Sequence, residues 1–111
     1  MNEMEIDVAQ ARVLVREGKS VYVFINDYGE LDFVKESLGA NGAVHNMDIV
    51  VAREIIFNQD KKAIEKMAGQ FKDAIIVCPH GRTSLRFASA LKELGVRAYS
   101  LNGGTQGLKQ R

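Results

Sequence analysis

A single cysteine, Cys78, stands among the 111 residues, so no disulfide can form within the chain. That sparing thiol usage, with no leader-like segment at the start, predicts a cytoplasmic protein in a reducing setting. The cysteine and the two histidines, His45 and His80, are scattered without the ligand spacing of a zinc site, so no metal is expected, and no cofactor either. Neither sign of charge is in excess: 15 basic and 14 acidic residues leave +1, which removes the global basic field that nucleic-acid binding uses. No apolar run approaches the length of a membrane span, so no membrane partner is expected. Proline occurs once, at Pro79, and proline-rich linkers, low-complexity tracts and internal repeats are all missing. The chain therefore reads as one domain, 1–111.

What is present is ordinary globular material, 46% apolar and 26% charged, in a chain long enough to bury a real core. Residues 4–6 suit a short edge strand. Asp7 and Gln10 form a capping-box pattern before Val8, Ala11, Leu14 and Val15, which predicts a helix over 8–17 ended by Gly18. The continuous β-prone run over 21–25 suits a strand buried on both faces, turned by Asn26, Asp27, Tyr28 and Gly29. A short helix is expected over 30–37, stopped by Gly39, Asn41 and Gly42, and a short strand over 43–46. Residues 47–57 fit either element, with helix preferred because Asp48 can cap it. A helix over 60–71 would place Ile64, Met67, Ala68 and Phe71 on one face. Leu85, Ala88, Leu91 and Leu94 keep a helical period up to Gly95, a natural C-terminal cap. A last strand over 96–101 and the turn Asn102, Gly103, Gly104 lead into a short terminal helix or tail. Strands that alternate with helices predict an α/β fold, with a mostly parallel central sheet and helices on both faces.

The chain is organised around Ile75, Ile76, Val77, Cys78, Pro79, His80, Gly81, Arg82, Thr83 and Ser84, read as strand, loop and helix. A parallel strand here puts Cys78 at its carboxyl end, where open α/β sheets form ligand crevices. The thiol would lie beneath the first turn of the next helix, among amides without intrahelical partners and near the positive end of the helix dipole. Such surroundings favour the nucleophilic thiolate and hold an anion that the sulfur attacks. Taken by itself, a lone cysteine at a strand end is as readily an inert core thiol.

In this stretch the chain resembles the rhodanese-like sulfurtransferase family. Cys78, Gly81 and Thr83 fall on the family's C-x-x-G-x-[TSR] loop pattern, and the helix closed by Gly95 and the strand before Gly103 and Gly104 follow in order. Asp32 and Phe33 look like its acidic-aromatic pair, and Gly42 and Ala43 like the end of a further segment. Asn26, Asp27 and Tyr28 stand where the family carries an Asp–Arg pair, and Leu108 where it commonly has tryptophan.

The resemblance implies a rhodanese-like α/β fold and a sulfurtransferase that needs no cofactor. Its small anionic sulfur donor would be thiosulfate or another persulfide, and its acceptor a thiol, cyanide or a sulfur-accepting protein. Cys78 would be the catalytic nucleophile and carry the sulfur as a persulfide. The substrate-binding loop would be Pro79, His80, Gly81, Arg82, Thr83 and Ser84, its amides converging on the terminal sulfur. Gly81 would let the backbone curl, and Thr83 and Ser84 would cap the helix or bond the sulfur. Arg82 reads equally as a guide for the anionic donor or as a solvated charge, and His80 sooner as a merely exposed loop residue than as one at the pocket mouth that modulates the thiolate. His45 is read as structural or exposed, and Gly103 with Gly104 as a tight turn. The alternative is a non-catalytic or carrier rhodanese-like module that binds a protein partner. A phosphatase fits less well, because its C-x-x-x-x-x-R loop needs an arginine where Ser84 stands.

Overall fold

The computed structural model describes residues 4–24, 29–40 and 44–110. The expected turn at Asn26, Asp27 and Tyr28, together with Gly42 and Ala43, lies outside the described residues. In chain order come β1 (Glu5–Ile6), α1 (Val8–Arg16), β2 (Val21–Phe24), α2 (Gly29–Leu38), β3 (Val44–Met47) and α3 (Ile49–Phe57). Then follow α4 (Lys61–Met67), a 3-10 turn (Ala68–Phe71), β4 (Ile75–Val77), α5 (Arg82–Glu93), β5 (Tyr99–Leu101) and α6 (Gly104–Lys109).

Local chemistry accounts for most of these boundaries. The side chain of Asp7 accepts from Gln10 N–H at 2.8 Å while Asp7 N–H donates back to Gln10 Oε1 at 2.9 Å, so the capping box closes α1 as expected. Asp48 caps α3 by accepting from Val50 N–H at 2.7 Å, which decides the ambiguous 47–57 segment: Met47 ends β3 and the helix follows. Asp60 caps α4 in the same way through Ala63 N–H at 3.0 Å. The single helix expected over 60–71 is instead α4 followed by the 3-10 turn, whose tighter winding brings Phe71 fully inside. The strand expected over 96–101 pairs only from Tyr99, because Val96 N–H closes α5 on Leu91 C=O and Arg97 C=O accepts from Asp73 N–H.

All five described strands are parallel, in the order β1-β5-β4-β2-β3. Both faces of the sheet are covered. Ile76, Phe24 and Cys78 pack with Ile49, Ala52 and Ile64 and with Phe87 and Leu91, so α3, α4 and α5 lie on one face. Val21, Val23, Ile75, Val77 and Leu101 pack with Val8 and Ala11, Val34 and Leu38, and Leu108, so α1, α2 and α6 lie on the other. This is the α/β arrangement expected, and it is consistent with a rhodanese-like fold.

The strand order also fixes where a ligand crevice opens. β2 and β4 are hydrogen-bonded neighbours, but the chain leaves β2 through α2 towards β3 and leaves β4 through α5 towards β5. Those two helices belong to opposite faces, so the connections part at the carboxyl ends of β2 and β4, the switch point of such sheets. Cys78 is the first residue beyond β4.

Candidate active site

The three residues of β4 are buried on both faces, and the chain then enters a loop over 78–81. Cys78 is 1% exposed. Gly81 N–H donates to Cys78 Sγ at 3.1 Å and Ser84 N–H at 3.3 Å, and Ser84 Oγ lies 3.2 Å from the same sulfur. Ser84 Oγ also lies 2.7 Å from Ser100 Oγ on β5, whose hydroxyl donates to Gly81 C=O at 3.5 Å. Both serines are completely buried.

Of the two expected roles for Thr83 and Ser84, neither hydroxyl caps α5, and the Ser84 hydroxyl lies against the sulfur. The N-cap is Gly81, which has no capping side chain, and the sulfur of Cys78 takes the place of a capping oxygen for the amides of the first turn. Thr83 Oγ1 instead accepts from Arg53 Nε of α3 at 3.5 Å. The loop amides therefore meet on Sγ itself, through Gly81 and Ser84, which aims two backbone donors and one hydroxyl at negative charge on that atom.

The loop holds its shape because α6 braces it. Thr105 N–H donates to Cys78 C=O at 3.0 Å and Gln106 N–H to Pro79 C=O at 2.9 Å, so two orphan amides of the α6 amino terminus serve the loop carbonyls. Gly81 has φ +83°, and a Cβ there would lie 3.0 Å from Gly103 N and 3.2 Å from Leu101 O, so both its conformation and its neighbours call for glycine. The Gly103 and Gly104 turn expected from sequence is the piece that lets α6 come this close.

Around this centre the charge is cationic. Arg82 and Arg86 are exposed one turn apart on α5, and Arg53 approaches from α3; among the described residues none of the three is paired with a carboxylate. A cleft of about 220 Å³ opens there, lined by Arg53, Ile56, Phe57, Thr83 and Arg86, with Phe57 left 87% exposed. A larger hollow of about 460 Å³ lies at the other end of α5, between Met4, Lys92 and the 95–99 segment, and touches none of the loop residues. His80 is exposed, and Pro79 is half-buried. His45 is exposed on β3 and stacks on Tyr22 with ring centroids 4.8 Å apart, which makes it structural. Leu108 is buried beneath α6.

Sequence reasoning brought Cys78, Gly81 and Ser84 together and missed Ser100, Arg53, Thr105 and Gln106. The available signal was Ser100, a hydroxyl in an otherwise apolar buried strand, since buried polar groups need partners. Among the described residues no three His, Cys, Asp or Glu side chains gather as a metal site, and no helix is long and apolar enough to cross a membrane. The fold and the site together define an α/β protein with one enclosed thiol at the switch point of a parallel sheet. No family model, curated protein or solved structure matches this chain.

Proposed function

We infer that this chain is a rhodanese-like sulfurtransferase, with Cys78 as nucleophile and residues 79–84 as the anion-holding loop. The Cys78 thiolate attacks the outer sulfur of thiosulfate or of another persulfide. With thiosulfate, its S–S bond breaks, sulfite leaves with the bonding pair, and Cys78 carries the sulfur as a persulfide. A thiolate or cyanide then takes that outer sulfur and returns Cys78 to the thiolate. This chemistry requires the thiol reduced, and a cytoplasmic setting would keep it so. Arg82, with Arg53 and Arg86 beside it, gives an anionic donor a cationic approach.

The observation that supports this reading is the convergence of Gly81 N–H, Ser84 N–H and the Ser84 hydroxyl on the sulfur at the carboxyl end of β4. The second reading, a carrier or non-catalytic module that binds a protein partner, is favoured by the 1% exposure of Cys78 and by its service as the cap of α5. Intact-protein mass spectrometry after exposure to thiosulfate separates the enzyme from the non-catalytic module, and slow release of the loaded sulfur to cyanide or a thiol marks the carrier. The expected result is the gain of one sulfur atom on the wild type, reversed by cyanide or a thiol, with none on Cys78→Ser. No loading from thiosulfate or from a low-molecular-weight persulfide sinks the catalytic reading and leaves the partner-binding module.

A further inference from the structure

Three side chains and the backbone of Gly81 form a closed ring beneath α5. It runs from Cys78 Sγ to Ser84 Oγ (3.2 Å), to Ser100 Oγ (2.7 Å), to Gly81 C=O (3.5 Å), and returns from Gly81 N–H to Sγ (3.1 Å). The side chains are at most 1% exposed, so protein groups alone must satisfy them. Ser100 is held from the backbone: its N–H donates to Met4 C=O, and its register partners are Glu5 on β1 and Ile76 on β4.

Counting protons gives the ring a direction. In the thiol state, three side-chain protons face three gaps, and only the Gly81 carbonyl lacks a proton of its own. The arrangement that fills every gap runs one way: S–H to Ser84 Oγ, Ser84 O–H to Ser100 Oγ, and Ser100 O–H to Gly81 C=O. When the thiol proton leaves to water, the sulfur can only accept. Ser84 O–H then turns onto the sulfur and Ser100 O–H turns onto Ser84 Oγ. The bond given up is the longest of the set, Ser100 to Gly81 C=O. The thiolate gains a third donor, itself polarised by a second hydroxyl, and such chains strengthen one another in a low-dielectric interior.

We propose that Ser100 is a positioning residue that acts through Ser84, holding the Ser84 hydroxyl proton on the Cys78 sulfur when the sulfur is charged, by reversal of a buried two-hydroxyl relay. This rests on Cys78 being the reactive group of the proposed sulfurtransferase, and it assigns β5 a part in that chemistry. The ionisable groups on the surrounding elements are His80, Arg82 and Arg86 of the loop and α5, Lys92 and Glu93 at the other end of α5, Arg53 and Glu54 of α3, Glu5 of β1, Tyr22 of β2, Tyr99 of β5 and Lys109 at the far end of α6. None of them hydrogen-bonds to a ring member, so the relay is separable from them by substitution.

The test is the pH midpoint of thiolate formation, read by ultraviolet absorbance after subtraction of Cys78→Ser; the chain has one cysteine, so one thiol reports. Ser84→Ala is expected to move the midpoint to higher pH, and Ser100→Ala to move it the same way by roughly half a pH unit. Ser84→Ala/Ser100→Ala should match Ser84→Ala alone, because without Ser84 the second hydroxyl has no route to the sulfur. Ser100→Thr, which keeps the hydroxyl, should restore the wild-type midpoint. An unmoved midpoint in Ser100→Ala, or shifts that add in the double variant, overturns the relay. If the alanine variants fail to fold, the infrared S–H stretch of the wild-type thiol decides: a band lowered by donation to Ser84 supports the relay, and a free-thiol frequency overturns it. Persulfide loading is scored separately. Loading without the shift removes the relay alone, and the shift without loading removes the sulfurtransferase reading alone.

Discussion

Among the described glycines, the tightest steric constraint falls on Gly104. A Cβ at Gly104, which has φ +58°, would sit 1.9 Å from Cys78 O and 2.7 Å from Pro79 O. Those carbonyls cannot give way without losing the amides of Thr105 and Gln106. Gly104→Ala should therefore cost at least about 2 kcal/mol in urea unfolding, from left-handed strain and collision together. It should also lower the rate of persulfide loading, since the collision is with the Cys78 peptide itself. Normal stability in that variant would mean that α6 is not seated against the loop.

At the scale of elements, α6 is the brace and α5 the carrier of the site. α6 is held from below by Leu108 in the core shared with α1 and α2. Its far end is held by an ion pair between Lys109 Nζ and Glu30 Oε1, with the same ammonium 6.0 Å from the centre of the Phe33 ring. The ion pair is partly exposed and contributes little, so the burial of Leu108 dominates. Leu108→Ala is expected to cost about 2 to 3 kcal/mol and to slow sulfur loading as well, because a loosened α6 releases the carbonyls of Cys78 and Pro79. Unfolding midpoints and loading rates measured on the same samples would check both, and a stability loss with unchanged loading would separate the brace from the chemistry.

For the whole molecule, the sheet divides the apolar interior into two halves, and the fully buried phenylalanines gather in one of them. Phe24, Phe71 and Phe87 meet with centroids 5.1 to 6.2 Å apart, and Tyr22 leans on Phe71 at 4.5 Å. Partial burial pushes the ionisation of the Tyr22 hydroxyl above its ordinary value of 10.0. As pH rises, the unfolded chain gives up this proton first, so the contribution is intact below about pH 10 and is lost as pH climbs through the higher folded value. Tyr22→Phe should thus flatten the alkaline decline in stability while leaving the neutral-pH profile shape unchanged. Urea midpoints taken from neutral pH upward would check it, and an identical alkaline slope in the variant would assign the decline to other groups.

Much of the fold was legible because its signals are local. The capping residues Asp7, Asp48 and Asp60 each act within three residues along the chain, so the helix starts follow from the order of amino acids. The apolar runs before Phe24 and Cys78 announce strands buried on both faces, and the loop pattern after Val77 announces a thiol beneath a helix. A buried run shows that a strand has neighbours without saying which ones. That β4 lies between β2 and β5, and that α2 and α5 part to opposite faces, depends on pairing between distant segments. The same holds for the site. Cys78 and Ser84 meet because a short loop and the start of α5 bring residues six apart back together, whereas Ser84 meets Ser100 across 16 residues and Thr83 meets Arg53 across 30. Sequence by itself determined most of the elements and the place of the thiol at the end of a buried strand, which short-range hydrogen bonds and periodicity specify. Only the tertiary structure brought the second hydroxyl, the α6 brace and the arginine of α3 to that thiol, because sheet order and helix packing set those distances.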